Sequence, residues 1–196
     1  MRLIEQLSVR EVTAEDGQVI KELFGTNGAC GGCWCMYWRL EKGGKLWEEM
    51  KGEKNRKTFF ELLKSGKVKG CLAFCENKPV GWCCFGPRED FPRLARVKAL
   101  KTNWNESTWS VVCFYIPAKF RRKGVATRLL EYALVIAKKE RVSLVEAYPA
   151  PDKWAKKGTI PGAFAWTGTT SLFKKFGFED CTPEGNSRPI LKLQLD

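Results

Sequence analysis

Four consecutive residues, Arg121, Arg122, Lys123 and Gly124, stand between an apolar run and an amphipathic one, and their types suit them to hold a phosphate. Residues 111–116 (Val, Val, Cys, Phe, Tyr, Ile) form the short continuous apolar run of a strand buried on both faces, and Pro117 ends it. Beyond Gly124, the residues Val125, Ala126, Leu129, Leu130, Ala133, Leu134 and Ala137 recur at three- and four-residue spacing, which predicts a helix from near Gly124. The first turn of such a helix leaves main-chain N–H groups without acceptors, and its dipole favours negative charge. A phosphate fits there. The three cations strengthen the attraction, and Gly124, having no side chain, lets a ligand approach the main chain.

The elements that must position this turn can be read along the chain. Residues 7–12 alternate as a strand, and Thr13 with Asp16 caps a helix whose apolar face is Val19, Ile20, Leu23 and Phe24. Residues 46–63 have a helical pattern that Gly52 breaks and Gly66 closes. Residues 68–75 and 79–85 predict a hairpin through the polar turn at Glu76, Asn77 and Lys78, and 86–92 reads as a loop. A short helix over 94–100 and a polar loop over 101–107 lead to the strand at 109–116. After the long helix come a strand at 142–148, a Lys-, Pro- and Gly-rich loop at 150–164, a short helix at 167–176, and strands at 177–181 and 190–195. The loop is long enough to serve as a substrate lid. Seven strands with interspersed helices predict an α/β (α+β) mixed sheet with helices on both faces.

The pattern Arg121-x-x-Gly124-x-Ala126, after a strand and before a helix, resembles the (Gln/Arg)-x-x-Gly-x-(Gly/Ala) signature of the GNAT superfamily of N-acetyltransferases. Phe173-Lys-Lys-Phe-Gly-Phe178 is similar to the family's aromatic-x-x-x-Gly-Phe segment, and the likeness spans roughly residues 68–180. The resemblance implies a GNAT-like domain of mostly antiparallel strands whose central pair, 109–116 and 142–148, splays apart to admit the pantetheine arm of acetyl-CoA. It implies cofactor contacts from Phe114, Tyr115, Ile116, Arg121, Arg122, Lys123, Gly124, Val125, Ala126, Thr127 and Phe173. It implies a single domain over 1–196, with a first strand and acceptor-side helices in 1–66, a cofactor-binding core in 67–182 and closing strands in 177–196. The activity implied is direct transfer of an acetyl group from the thioester to a primary amine of a small molecule or peptide.

That reaction needs a polarised carbonyl, a deprotonated amine and a tolerable leaving group. Main-chain N–H groups near Phe114–Ile116 are the candidate oxyanion donors, since the family's central strand carries a bulge that frees one; such a donor is worth about 3 kcal/mol elsewhere. Glu146, among Val145, Ala147 and Tyr148, is the candidate general base, and burial would raise its pKa; a place on a solvated strand face is the alternative. Many relatives place a Tyr where Phe173 stands, four residues before the Gly of the Gly-Phe pair. Tyr115 and Tyr148 are the candidate substitutes for that acid, with packing as the leading reading of each.

The segment 27–39 gathers Cys30, Cys33, Cys35, Trp34, Tyr37 and Trp38. Three cysteines at this spacing suggest zinc or an iron–sulfur cluster, but a closed site wants four ligands, and the chain has no histidine and no second Cys-x-x-Cys, so no metal is expected. In the family this region covers the substrate side, which makes Trp34, Tyr37 and Trp38 candidates for an acceptor-pocket wall, with core packing as the other reading.

Composition sets the outer limits. The 196 residues are 44% hydrophobic and 29% charged, the balance of a folded globular chain. No apolar run approaches membrane-spanning length, and an acidic residue lies where a signal peptide would keep its apolar centre, so a cytoplasmic protein is expected. Nine cysteines fit a reducing compartment. A net charge of +12 favours anionic partners, coenzyme A or nucleic acid among them. The nucleic-acid alternative lacks a recognised motif, and its aromatics fall mostly in segments a core would claim; a CoA-binding sensor without turnover is the other alternative. Self-association into a homodimer is compatible with the sequence.

Overall fold

The computed structural model describes residues 6–43, 45–155, 160–162 and 164–195. Residues 1–5, part of the N-terminus on which the export expectation rests, and residues 156–159 and 163 of the expected lid lie outside the described residues. Seven strands, β1 (Leu7–Glu11), β2 (Gly70–Cys75), β3 (Lys78–Pro87), β4 (Thr108–Tyr115), β5 (Leu144–Ala147), β6 (Glu179–Asp180) and β7 (Leu191–Gln194), form one sheet in the order β1-β2-β3-β4-β5-β7-β6. Only β4 and β5 run parallel. The fold class is thus the mixed α/β sheet that the sequence predicts.

Among the described residues six α-helices surround the sheet: α1 (Gly17–Phe24), α2 (Lys45–Met50), α3 (Glu53–Lys64), α4 (Pro92–Arg96), α5 (Val125–Lys139) and α6 (Thr170–Lys174). Val125, Leu129, Leu130, Ala133 and Ala137 of α5 cover one face of the sheet together with Phe114, Val145, Phe173 and Phe178. The other face is covered by Ile20, Leu23 and Phe24 of α1 and Phe59 and Leu63 of α3, joined by Trp34, Trp38, Trp82 and Tyr148. The expected break at Gly52, where φ is 79°, separates α2 from α3. Glu76 and Asn77 have φ of 48° and 64°, the two left-handed residues that join strands whose right-handed twist demands such a turn.

The structure departs from the sequence expectations in two places that shape the site. β3 does not stop at residue 85: Gly86 and Pro87 continue it opposite Ser110 and Trp109 of β4, because a proline at the end of a strand withholds no hydrogen bond that the ladder needs. The helix expected over 167–176 is shorter. A 3-10 turn at Ala165–Thr167 precedes Gly168, at φ +82°, and α6 then starts at Thr170 with the Thr169 hydroxyl accepting from Leu172 N.

Three features place the phosphate turn. Cys84 faces Cys113 and Phe85 faces Val111, so Val112 is an extra residue on β4, a bulge that twists the strand. β4 and β5 pair from Thr108↔Leu144 to Val111↔Ala147, where β5 ends while β4 runs on to Tyr115. The central strands therefore part at Val111, and the 165–167 turn packs beside β4 beyond that point. A Cβ on Gly81 would lie 2.6 Å from Val125 Cγ1, so only glycine lets the head of α5 settle this closely on β3.

Candidate functional site

The turn is folded to receive an anion. Arg122 and Gly124 both have positive φ, 57° and 86°, and the right-handed helix follows immediately. Alternation of left- and right-handed residues gathers successive N–H groups into a concavity that binds anions. The Arg128 N–H donates to Gly124 O at 3.1 Å, opening the helix ladder and leaving the N–H groups of Val125, Ala126 and Thr127 without intrahelical acceptors. Arg121 Nε donates to Ile116 O at 2.8 Å and ties the turn to the end of β4.

This turn forms one side of a cavity of about 970 Å³. Of the expected cofactor contacts, Phe114, Tyr115, Ile116, Arg121, Arg122, Gly124, Val125, Ala126 and Thr127 line it. Lys175 from beyond α6 adds charge, and Leu172, Ser171 and Thr169 form the facing wall. Lys123 is exposed and outside the lining. Phe173 is also outside it: the ring is wholly buried, 6.2 Å from Phe114 and 5.2 Å from Phe178. A pyrophosphate with a polar tail suits main-chain donors flanked by Arg121 and Arg122, and an apolar arm suits the wall running from Phe114 to Leu172.

The far end of the cavity differs from the sequence expectation. Trp34 and Trp38 are core residues, Tyr37 is half-buried, and none of the three lines the cavity. Ala29 and Cys30 of the same segment do line it, with Trp166 and Asp152. Trp38 instead supports the central strand: its Nε1 donates to Val112 O at 3.1 Å and so satisfies the carbonyl of the bulge residue. Tyr115 stands in the wall with its phenol pKa raised, by burial first, against the lowering influence of Arg121. Asp152 and Trp166 carry no motif in sequence, and only the parting of β4 from β5 and the course of the chain after Ala147 bring them here; Cys30, read in sequence as part of a cysteine pattern, arrives from the opposite end of the chain.

Glu146 lies in a different environment, outside the cavity lining. It is wholly buried, and Oε2 accepts from Arg88 Nε at 2.9 Å and from the Tyr148 hydroxyl at 2.6 Å. Lys192 Nζ sits 3.1 Å from Oε1, close enough for ion pairing although not aligned as a hydrogen bond. Arg88 Nη2 donates to Leu100 O, and the Tyr148 hydroxyl is also 3.1 Å from Ser110 Oγ. The net shift of the Glu146 pKa is opposite to the rise expected from burial. Burial is the largest single influence and does push upward, but Tyr148, Thr102, Lys192 and Arg88 together hold the carboxyl below its ordinary value. Tyr148, wholly buried against this carboxylate, has its own pKa pushed upward, by burial first and by the Glu146 charge.

Among the described residues no group of three or more His, Cys, Asp or Glu side chains could hold a metal ion. Cys35 accepts from Trp82 Nε1 at 3.2 Å and is held protonated well above the usual thiol range, by its contact with Cys113 first. It is therefore a packing residue rather than a ligand or nucleophile. Cys33 is also pushed upward, by burial, whereas Cys30 is exposed at the cavity. No helix of the described residues is long and apolar enough to cross a membrane.

Solved structures share this architecture. An N-acetyltransferase from Staphylococcus aureus Mu50 superposes with a TM-score of 0.57 at 15% identity, covering 97% of this chain and 99% of that one. The PaiA N-acetyltransferase of Thermoplasma acidophilum, solved in complex with coenzyme A, gives 0.56 at 13% identity with 96% and 99% coverage. The yncA protein of Salmonella typhimurium, solved with its cofactor acetyl-CoA, gives 0.54 at 12% identity with 97% and 95% coverage. At such identities the likeness is one of fold. No curated protein sequence matches the chain. The sequence pattern of the acetyltransferase (GNAT) family matches residues 35–155, from the aromatic segment through the phosphate turn to the parted strand β5. With that match over more than half its length and a GNAT fold around an anion-binding turn, the chain belongs to the GNAT acetyltransferase family.

Proposed function

We propose that this protein is an acetyl-CoA-dependent N-acetyltransferase that moves the acetyl group directly to a primary amine of a small molecule or peptide. The observation that supports it most is the meeting of two features in one cavity: the Arg121–Thr127 anion turn and the stretch of β4 beyond Val111 that β5 no longer pairs. Acetyl-CoA brings the activated thioester. The N–H groups of Val125, Ala126 and Thr127, with Arg121 and Arg122, hold its pyrophosphate. Main-chain N–H groups of β4 past the Val112 bulge, no longer engaged by β5, serve as donors to the carbonyl oxygen, at about 3 kcal/mol for a well-aimed donor.

The proposed base differs from the one the sequence suggested, while the proposed acid, Tyr115, is one of its two candidates. A carboxylate held below its ordinary pKa is a poor base for an amine, and Glu146 is tied by Arg88, Tyr148 and Lys192. Its role is to fix β5 and Tyr148 beside the parting strands. Asp152, the carboxylate among the described lining residues, takes the amine proton, directly or through water. The Tyr115 phenol, kept protonated by burial, donates to the departing thiolate; with Phe173 carrying no hydroxyl, a thiol of pKa about 8.5 also leaves tolerably unaided.

A CoA-binding sensor without turnover is the second reading, favoured by the apolar burial of Phe173 and the clamped state of Glu146. Nucleic-acid binding has less support, since Trp34, Trp38, Trp82 and Trp109 are buried and cannot stack on bases. The deciding experiment measures free thiol released from acetyl-CoA across a panel of amines. Amine-dependent release with matching acetylated product is expected. Tight CoA binding with no release for any amine would leave the sensor.

A further inference from the structure

The half-buried aromatic cluster next to the cavity holds two cations that have no anion of their own. Trp166, which lines the cavity, lies 5.2 Å from Tyr37 and 5.7 Å from Trp38, and Tyr37 is 5.2 Å from Trp47. The Arg93 guanidinium stacks 3.8 Å above the Tyr37 ring. Arg188 lies between Trp38 and Trp154, at 5.6 Å and 5.8 Å from the two rings. Its Nη2 donates to Tyr148 O and to Thr167 Oγ1, at 3.3 Å and 3.1 Å.

Several other arginines find acids: Arg10 with Asp16, Arg88 with Glu146, Arg56 with Glu53, Arg96 with Glu41. Among the described residues no carboxylate pairs with Arg93 or Arg188. Arg93 Nη1 and Arg188 Nε are closed off from solvent and have no hydrogen-bond partner. A desolvated guanidinium nitrogen with nothing to donate to is costly, and aromatic stacking offsets only part of that cost. An anionic oxygen would satisfy either nitrogen with a charge-assisted bond. The position is informative too. Arg188 is bonded to Thr167, the residue after Trp166, which lines the cavity, so its guanidinium is tied to the segment that walls the cavity.

We propose that Arg188, assisted by Arg93, binds the carboxylate of the acceptor, so that the substrate is an amino acid or a peptide bearing both a carboxylate and the amine to be acetylated. The inference rests on the acetyltransferase reading above and names its substrate class. The molecule lies along Trp166 with its carboxylate at the arginines and its amine in the cavity. The amine nitrogen bonds to the acetyl carbon, the carbon–sulfur bond of acetyl-CoA breaks, and the amine proton leaves to the base while the thiolate takes up a proton. The carboxylate is unchanged.

The test is tryptophan fluorescence of the CoA-loaded protein, titrated with the proteinogenic amino acids, their amides and a set of dipeptides. At least one free acid is expected to change the emission saturably and to bind at least tenfold tighter than its own amide. R188Q should reduce that preference to within twofold while acetyl-CoA affinity stays within twofold, and R93Q should weaken acid binding several-fold. Tighter binding of a dipeptide than of its component amino acids assigns the carboxylate to a peptide end, and the reverse order to a free amino acid. Equal binding of acids and amides throughout, or an acid preference that survives in R188Q, overturns the proposal. R93Q, which leaves the Arg188 bonds to Tyr148 and Thr167 in place, carries the same test if R188Q does not fold. Acetyl-CoA binding with no acid preference defeats this proposal alone; no acetyl-CoA binding defeats the reading beneath it.

Discussion

The turn at Arg121–Thr127 and the cluster around Glu146 are both polar, both adjoin the parting of β4 from β5, and differ in one physical respect. In the turn, donors outnumber acceptors: the first N–H groups of α5 and two guanidinium groups face a cavity. In the cluster, one carboxylate meets Arg88, Tyr148 and Lys192 inside the protein. Buried polar groups that satisfy one another hold a fold together, whereas those left unsatisfied at a cavity are available to a ligand. By this criterion the turn is the candidate binding site, and the arginines at the aromatic cluster resemble it in holding unpartnered donors.

The comparison can be broken from the side of the clamped cluster first. E146Q removes the charge that Arg88, 2% exposed, depends on, and stability is expected to fall by about 3–5 kcal/mol in denaturant unfolding. The pH dependence follows in sign. The Glu146 pKa is lowered in the folded state, so its stabilisation is present above the ordinary carboxylate value of about 4.3 and is lost as pH falls through the folded value. The stability gap between wild type and E146Q should therefore narrow as pH falls from neutrality to 3. A gap that stays constant over that range would show that the carboxylate charge does not anchor the cluster.

Next in size, Gly124→Glu places bulk and a negative charge in the anion concavity. Acetyl-CoA affinity should drop at least 100-fold, about 2.7 kcal/mol, by calorimetric titration, with the far-UV circular dichroism unchanged. Retained affinity would mean that the cofactor is held elsewhere.

F173Y separates core from site more finely. The ring is wholly buried between Phe114 and Phe178, so an added hydroxyl has no partner and should cost about 1–3 kcal/mol of stability without raising turnover. A faster enzyme would instead show that the hydroxyl reaches the leaving thiolate. The smallest expected effect is that of D152N, a roughly tenfold loss of kcat, about 1.4 kcal/mol, with acetyl-CoA affinity retained. A loss that is recovered at higher pH, where the amine is already free base, would sharpen the assignment of Asp152 as proton acceptor.

The sequence and the tertiary structure contributed different parts of this description. Strand, turn and helix around Gly124 were legible because each depends on near neighbours: a run of apolar residues, a proline stop, a glycine able to take φ of 86°, and a three-to-four periodicity. The same holds for the break at Gly52 and for the hairpin turn, expected over Glu76, Asn77 and Lys78 and found at Glu76 and Asn77, with Lys78 already in β3. The acceptor end was not legible in this way. Trp38 and Trp166 are both tryptophans in short irregular segments, yet one props the bulge through Val112 O and the other lines the cavity. Nothing local distinguishes them, since each outcome depends on a partner over fifty residues away in sequence.

Glu146 shows the same division. Its place in an apolar strand was readable and implied burial, but the sign of its pKa shift depended on Arg88, Thr102 and Lys192 arriving from three other parts of the chain. What the sequence determined by itself was the main-chain turn with its free donors, because hydrogen-bond donors at a helix start follow from backbone geometry over a few residues. What only the tertiary structure decided was which side chains are satisfied and which are left facing a ligand, because satisfaction is a property of pairs that meet only once the sheet has assembled.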